Sequence, residues 1–462
     1  MERFNPAGEI NQFSLDTPEK DLPLERVLFR RLSGPLTVQW ELTSWCNQSC
    51  FHCYNYWRRD ELSATSGLDS AGSAKCADEI IKNNVFSVTL TGGEPLYNLD
   101  QSVPALEALR DKGIGIDINT NLAFFDKAVA AKLKSLGVRS ILTSLMTSNP
   151  ELNDRLSGRK GTFERVTKGI DLALKEGFHV GVSMVVTKDN LSDIYETAEY
   201  VTKLGATTFA ATKACAPVNA SGFYPHCLST SEFNTMLNVL LTIGKELNIQ
   251  AETLVAPPLC VLDTPELAEK FGHKSCAAGK ISCTIGYNGL IRSCSQGNSS
   301  YGSILDEGLN PAWHRMQEWR TDKFVPSICK ECSVADICIG GCRAEAMAIN
   351  GRLDSPNPYA DPYSVLKVKD TNPGENKAVV DKRYFFNSNI KQRPEDFGGI
   401  LFISSARWLP VDHLMLRFIN LYQGKTFSSS DLSKELNYDI ADIMSTVNLL
   451  ESKGFILARG GD

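Results

Sequence analysis

The chain has 462 residues, of which 42% are hydrophobic and 22% charged, with a formal net charge of −6. This length supports two or three domains, the composition is that of a soluble globular protein, and the acidic balance disfavours a nucleic-acid-binding surface. No apolar run is long enough to span a membrane. The mixed-charge N-terminal extension, residues 1–35, has no apolar signal core, so a cytoplasmic location is expected. In that reducing setting the fourteen cysteines are expected to hold metal rather than form disulfides.

From residue 36 to about 224, short β-rich runs alternate with helical periodicity. Strands are predicted at Thr37–Leu42, Phe86–Leu90, Gly115–Asn119, Arg139–Leu145, His179–Val186 and Thr207–Thr212. Helices are predicted near Ser70–Asn83, Ser102–Lys112, Phe125–Ser135, Thr162–Glu176 and Leu191–Leu204. Strands and helices in βα order imply an α/β fold with a parallel sheet. Right-handed crossovers would curl it into a partial (β/α)6 TIM-like barrel, with its chemistry at the C-terminal strand ends. Residues 225–275 read as a bridge with a helix at Ser231–Leu247 and then a short strand. A cysteine-dense segment, 276–365, follows. Residues 366–395 read as a Pro-, Asn- and Lys-rich linker or lid. Residues 396–462 read as a small winged helix: a hairpin (Phe397 to Ile403, Arg407 to Leu409), helices from His413 and Asp431, and a closing strand at Phe455–Arg459.

The first motif follows the first strand: Cys46, Cys50 and Cys53, separated by three and then two intervening residues. Three thiolates on one tight loop suit a four-iron cube with one iron left open for chemistry; zinc is the bland alternative. Gly92-Gly93-Glu94 follows the second strand, where glycines admit a ligand to the backbone and Glu94 offers a carboxylate to an ammonium group. Asn119 and Ser144 close the third and fourth strands; residues of these types are mostly turn formers.

Together these motifs resemble the radical S-adenosylmethionine (SAM) enzymes. The resemblance implies that the open iron binds the amino and carboxylate groups of SAM. The reduced cluster would then cleave SAM to a 5′-deoxyadenosyl radical. It implies cofactor contacts from Gly92, Gly93, Glu94, Asn119 and Ser144. His52 stands where the family usually has Tyr or Phe and would pack on adenine.

The second cysteine field holds Cys276, Cys283 and Cys294, then Cys329, Cys332, Cys338 and Cys342 with two, five and three residues between them. With four residues between Gly289 and Cys294, and Gly340-Gly341 before Cys342, it resembles the SPASM extension of radical SAM peptide maturases. Zinc-ribbon pairs are the rival. The resemblance implies two auxiliary four-iron clusters, three in all. Cys276, Cys283, Cys294 and Cys342 would hold the first, and Cys329, Cys332 and Cys338 three irons of the second. The family's further ligand is a later Cys in an Asp-Pro-x-Cys context. This chain has Asp361-Pro362-Tyr363-Ser364 and no cysteine after 342. Asp361, Ser364 or an open iron would therefore complete the second cluster. Cys76, Cys215, Cys227 and Cys260 fit no spacing and are expected to be buried thiols.

The C-terminal segment resembles the RiPP recognition element, a winged helix related to the chaperone of pyrroloquinoline quinone synthesis. Its last helix carries Asp439, Asp442 and Glu451, the wrong sign for DNA phosphates. The resemblance implies a leader peptide bound by β-augmentation. The resulting expectation is an enzyme that modifies a ribosomally made precursor peptide by a side-chain crosslink (C–C, ether or thioether). Flavodoxin or ferredoxin would donate electrons, and neither nucleic acid nor membrane would be a partner. The rivals are a maturase of folded proteins, like the sulfatase maturases, and a non-enzymatic zinc or iron–sulfur winged-helix regulator.

Overall fold

The computed structural model describes residues 31–55, 57, 67–217, 221–361 and 382–459. Six parallel strands form the barrel in chain order: β1 (Thr37–Thr43), β2 (Ser87–Gly92), β3 (Gly115–Asn119), β4 (Ser140–Ser144), β5 (His179–Val186) and β6 (Thr208–Lys213). Alternation explains the curl. Val38, Trp40, Val88, Leu90, Ile116 and Ile118 are buried beneath the outer helices. Each such side chain contributes about 1.5–3 kcal/mol. The other face is polar, with Gln39, Thr89 and Asp117 in register across three strands.

Helices Ser70–Lys82, Leu99–Asp111, Lys127–Ser135, Thr162–Lys175 and Ile194–Leu204 cover the sheet, close to the predicted spans. One further helix, Pro150–Ser157, escaped periodicity because it is so short. Its signals are nonetheless in the sequence: Asn149 caps the Leu152 N–H at 3.1 Å, Pro150 opens the helix and Gly158 ends it at φ 67°.

The sheet grows beyond the barrel at both edges. The bridge contributes helix Thr230–Glu246, opened by a Ser229/Glu232 capping box, then β7 (Gln250–Glu252), parallel to β6, and a helix at Pro265–Phe271. The cysteine-dense segment contributes β8 (Ser282–Ile285), parallel to β1, then β9 (Leu290–Arg292) and β10 (Ser300–Ser303). The order is β10-β9-β8-β1-β2-β3-β4-β5-β6-β7.

The C-terminal part has a separate core around Phe418, Phe427, Leu432 and Val447. It holds β11 (Arg383–Phe386), β12 (Lys391–Glu395), β13 (Gly398–Ser404), β14 (Arg407–Asp412), β15 (Thr426–Ser428) and β16 (Ile456–Ala458), in sheets ordered β15-β11-β16 and β12-β13-β14. Its helices span His413–Tyr422, Ser429–Leu436 and Ile440–Ser452. The linker reading of 366–395 is corrected here, because β11 and β12 lie within it. Lys391-Gln392-Arg393-Pro394-Glu395 has no apolar alternation, and its pairing is imposed by β13 and by the barrel.

That docking is specific. Phe402 stacks on Phe86, ring centroids 4.6 Å apart. Lys391 Nζ donates to the carbonyls of Phe86 and Gly113 at 3.1 and 2.7 Å. Arg393 donates to Pro35 and Gly34 at 2.9 and 2.8 Å and pairs with Glu395 at 2.7 Å. Gly34, Phe86 and Gly113 precede β1, β2 and β3, so the C-terminal part sits at the N-terminal ends of the strands. Among the described residues no helix is long and apolar enough to cross a membrane.

Candidate active site

At the opposite end of the strands, β1 runs into the Cys46–Cys53 loop. Several contacts shape it. Cys53 N–H donates to the Cys50 carbonyl at 3.2 Å, and Ser49 N–H to the Ser157 carbonyl at 3.0 Å. Arg159 holds the Asn47 carbonyl at 2.6 Å. A Cβ on Gly158 would lie 2.5 Å from the Ser49 carbonyl oxygen, so only glycine allows this seat. All three thiols are partly exposed. His52 is buried, and burial pushes its pKa down to about 4, leaving a neutral ring edge-on to Phe51.

Gly92-Gly93-Glu94 clasps this loop. Gly93 and Glu94 N–H donate to the Thr43 and Trp45 carbonyls, both at 2.7 Å. A Cβ on Gly93 would stand 1.9 Å from the Trp45 carbonyl oxygen. Sequence reasoning assigned these glycines to ligand access; in the fold they also let β2 close on the cysteine loop. Glu94 is fully buried. Its carboxylate accepts from Leu96 N–H (3.1 Å), Thr120 Oγ1 (2.6 Å) and Asn121 N–H (2.8 Å). Burial raises its pKa to about 7 against those three hydrogen bonds. A carboxylate has about four acceptor positions, so one is left for a ligand such as an ammonium.

Asn119 lies within β3 beside Leu142, and Ser144 is exposed at the end of β4 beside Ser183. The strand-three residue that reaches the cysteine loop is Asn121. Its Nδ2 donates to Asn47 Oδ1 at 2.7 Å and lies 3.9 Å from Cys46 Sγ. Asn119-Thr120-Asn121 flagged the place: Asn119 shares the strand face of Asp117, and the turn after β3 brings Asn121 to the cysteine loop. Trp45 stacks on the exposed Tyr97 at 4.0 Å and gives the site an aromatic rim.

The second cysteine field lies beside the barrel. Cys276, Cys294 and Cys342 act on one another electrostatically. Burial, their largest influence, pushes Cys294 up to about 12. Cys283 sits in β8 opposite Val38 within the hydrophobic core, where burial alone pushes it up to about 12. Cys215, outside the motif, instead touches Cys342. A thiol–thiol hydrogen bond raises Cys215 and brings Cys342 down to about 7. Next to them Lys213, at the end of β6, forms a buried ion pair with Glu345, which Asn357 also holds at 2.9 Å. A second buried pair, Glu41 with Arg292 at 2.5 Å, joins β1 to β9. Neither pair carries a spacing signal; both arise from the packing of the cysteine field on the barrel.

Cys329 and Cys332 share one turn, Cys332 N–H donating to the Cys329 carbonyl at 3.1 Å, and Cys338 acts on Cys329. The Asp361 N–H donates to Cys260 Sγ at 3.2 Å. Ser364 lies outside the described residues. Among the described residues no three His, Cys, Asp or Glu side chains converge as ligands of a single ion do; a four-iron cube spreads its thiolates over its corners. The donor set fits such clusters in one further respect. Arg343 is fully buried and donates to the carbonyls of Gly341, Leu353 and Ser355; burial lowers its pKa, and the neighbouring Cys342, Cys329, Cys276 and Cys338 offset this. A buried cation solvated by neutral carbonyls suits an adjoining anionic group.

Comparison with known proteins agrees with this geometry. The Radical SAM superfamily profile matches residues 40–201. The chain is 28% identical over 339 residues to the mycofactocin maturase MftC of Mycolicibacterium smegmatis, covering 71% of this chain and 83% of that protein. It is 26% identical over 347 residues to an AdoMet-dependent heme synthase of Methanosarcina barkeri, covering 71% and 96%. In fold it is similar to Streptococcus suis SuiB bound to its precursor peptide SuiA, with TM-score 0.57, 20% identity, and 71% and 76% of the two chains covered. The profile match lies over the barrel that carries this cysteine loop at its C-terminal strand ends, so the chain contains a Radical SAM superfamily domain and is an enzyme.

Proposed function

We propose that this enzyme modifies a ribosomally made precursor peptide, joining two of its side chains through a C–C, ether or thioether bond. The observation that carries the reading is the C-terminal part with its own core. Its β12 edge abuts the barrel, while among the described residues β14 is paired on one side only, with β13. A leader peptide adding a strand to β14 would be held by main-chain hydrogen bonds, and its tethered core would reach the site at raised effective concentration. The likeness to MftC and to SuiB bound to SuiA supports a peptide substrate.

SAM on a four-iron cluster, when bound, supplies a carbon radical that takes a hydrogen atom from the substrate. Cys46, Cys50 and Cys53 would hold that cluster. The backbone at Gly92 and Gly93, with Glu94, would receive the methionine end of SAM, while Asn119 and Ser144 line its approach and neutral His52 flanks adenine. Trp45 and Tyr97 would shield the site from water. Cys276, Cys294 and Cys342 would hold three corners of a first auxiliary cluster. The motif assigns its fourth corner to Cys283, whereas Cys215 is the thiol in contact with Cys342. Cys329, Cys332 and Cys338 would hold the second. These clusters give a crosslink somewhere to send the electron it releases, which redox-neutral epimerisation does not need. Flavodoxin or ferredoxin is the proposed donor.

The heme synthase likeness favours a second reading, a tetrapyrrole substrate. However, 96% of that protein is matched by only 71% of this chain, and the remainder here has no counterpart there. The deciding experiment is mass spectrometry of a candidate precursor peptide incubated with the full chain and with a chain lacking residues 382–459. The expected result is loss of a pair of hydrogens with the full chain and none with the truncated one. A D-residue at unchanged mass would overturn the crosslink, and full activity without 382–459 would overturn leader recognition.

A further inference from the structure

The second auxiliary set is one thiolate short in its motif, and the bridge brings a thiol to it. Pro258 and the turn Leu259–Val261 pack against the Cys338–Cys342 segment. The Leu259 N–H donates to Cys338 Sγ at 3.3 Å. Gly341, at φ 82°, comes so close that a Cβ would stand 2.7 Å from Pro258 Cγ. Cys260 is the central residue of that turn. The groups acting on its half-buried thiol include Cys338 and Cys329, the two outer members of the Cys-x2-Cys-x5-Cys run. From the other side the Asp361 N–H donates to Cys260 Sγ. The Asp361 N–H favours the thiolate form of Cys260, while burial, the larger influence, pushes the thiol up to about 11; hydrogen bonds to the sulfurs are among the factors that set a cluster's potential. The buried Arg343, whose guanidinium donates to the Gly341 carbonyl, lies in the same segment as a cation that thiolate ligation would favour.

We propose that Cys260 is the fourth ligand of the second auxiliary cluster, with Cys329, Cys332 and Cys338. This rests on the reading that the chain holds that cluster. It replaces Asp361 as the completing side chain and gives that residue's backbone a role as hydrogen-bond donor to the ligand sulfur. Binding would release the Cys260 proton, as thiolate ligation requires. The cluster would then have no open iron and would carry electrons rather than bind substrate. It would also tie the bridge to the cysteine field, so loading the cluster would fix the position of residues 258–261.

The test is iron and sulfide content, with EPR and redox titration, on anaerobically reconstituted full-length protein. Wild type is compared with C260A, C260S, D361N and C227A; the charges acting on Cys227 include no thiol. Wild type is expected to hold about twelve irons, from three four-iron clusters. C260A is expected to lose about four or to show a new EPR signal from a three-cysteine cluster, with C227A and D361N like wild type. C260S preserves the shape of the side chain, so it guards against misfolding, and it is expected to shift one midpoint potential through oxygen ligation. Wild-type iron, spectrum and potentials in both C260A and C260S would overturn the assignment while leaving three clusters standing, as would iron loss in D361N alone. About eight irons in wild type, unchanged in C260A, would instead remove the second cluster itself.

Discussion

Glu94 illustrates how one carboxylate serves both fold and site. It links the end of β2 to the turn after β3 through Thr120 and Asn121 while sitting on the cysteine loop. Replacing it with Gln keeps an acceptor but turns an amide toward the Asn121 N–H, leaving a buried donor unsatisfied at a cost of about 1–3 kcal/mol. The pH dependence follows from its raised pKa. Between the ordinary carboxylate range and about 7, the folded apoprotein keeps a proton that the unfolded chain has lost. The stability this group contributes is therefore fully present below that window. It is lost as pH rises through the window, by about 1.4 kcal/mol for each pH unit crossed. Denaturant titrations from acid to neutral pH should show the stability difference between wild type and Glu94→Gln shrinking as pH rises. A difference independent of pH would show that Glu94 stays ionised.

At the scale of elements, the junction between the barrel and the C-terminal part depends on β12. Arg393 is buried, and burial lowers its pKa while Glu395 offsets this. Truncating Arg393 to Ala leaves Glu395 buried without its main partner, a loss of about 3–5 kcal/mol. It also frees the carbonyls before β1. The expected result is faster limited proteolysis around residues 382–398 with the barrel's own unfolding little changed; equal protease resistance would contradict the junction described above. This strand was illegible in the sequence because its residues are chosen for the barrel they dock on rather than for a core of their own. The strand predictions within the barrel fared better, since Val, Ile and Leu alternate there with polar residues facing the lumen.

For the whole molecule, the C-terminal part and the cysteine loop lie at opposite ends of the same strands. β1 is seven residues long, so about 23 Å separates the two ends at roughly 3.3 Å per residue. If the leader binds at β14, an extended peptide needs about seven residues to cover that distance. Because β14 lies two strands beyond the β12 contact, precursors with a spacer shorter than about seven residues should not be modified, and the shortest productive spacer should exceed that length. Normal processing with a spacer of about three residues would place the leader elsewhere.

The sequence by itself determined the barrel, the Cys46–Cys50–Cys53 loop, the Gly92–Glu94 segment and the second cysteine field. Each depends on local periodicity or on spacing within one turn or one strand end, which a linear chain expresses directly. Only the tertiary structure decided that Asn121 reaches the cysteine loop. It also put Cys215 against Cys342 and Cys260 against Cys338, and it docked residues 391–395 under the barrel. These contacts join residues dozens to hundreds of positions apart. Their partners are chosen by how layers pack, and no local spacing encodes that choice.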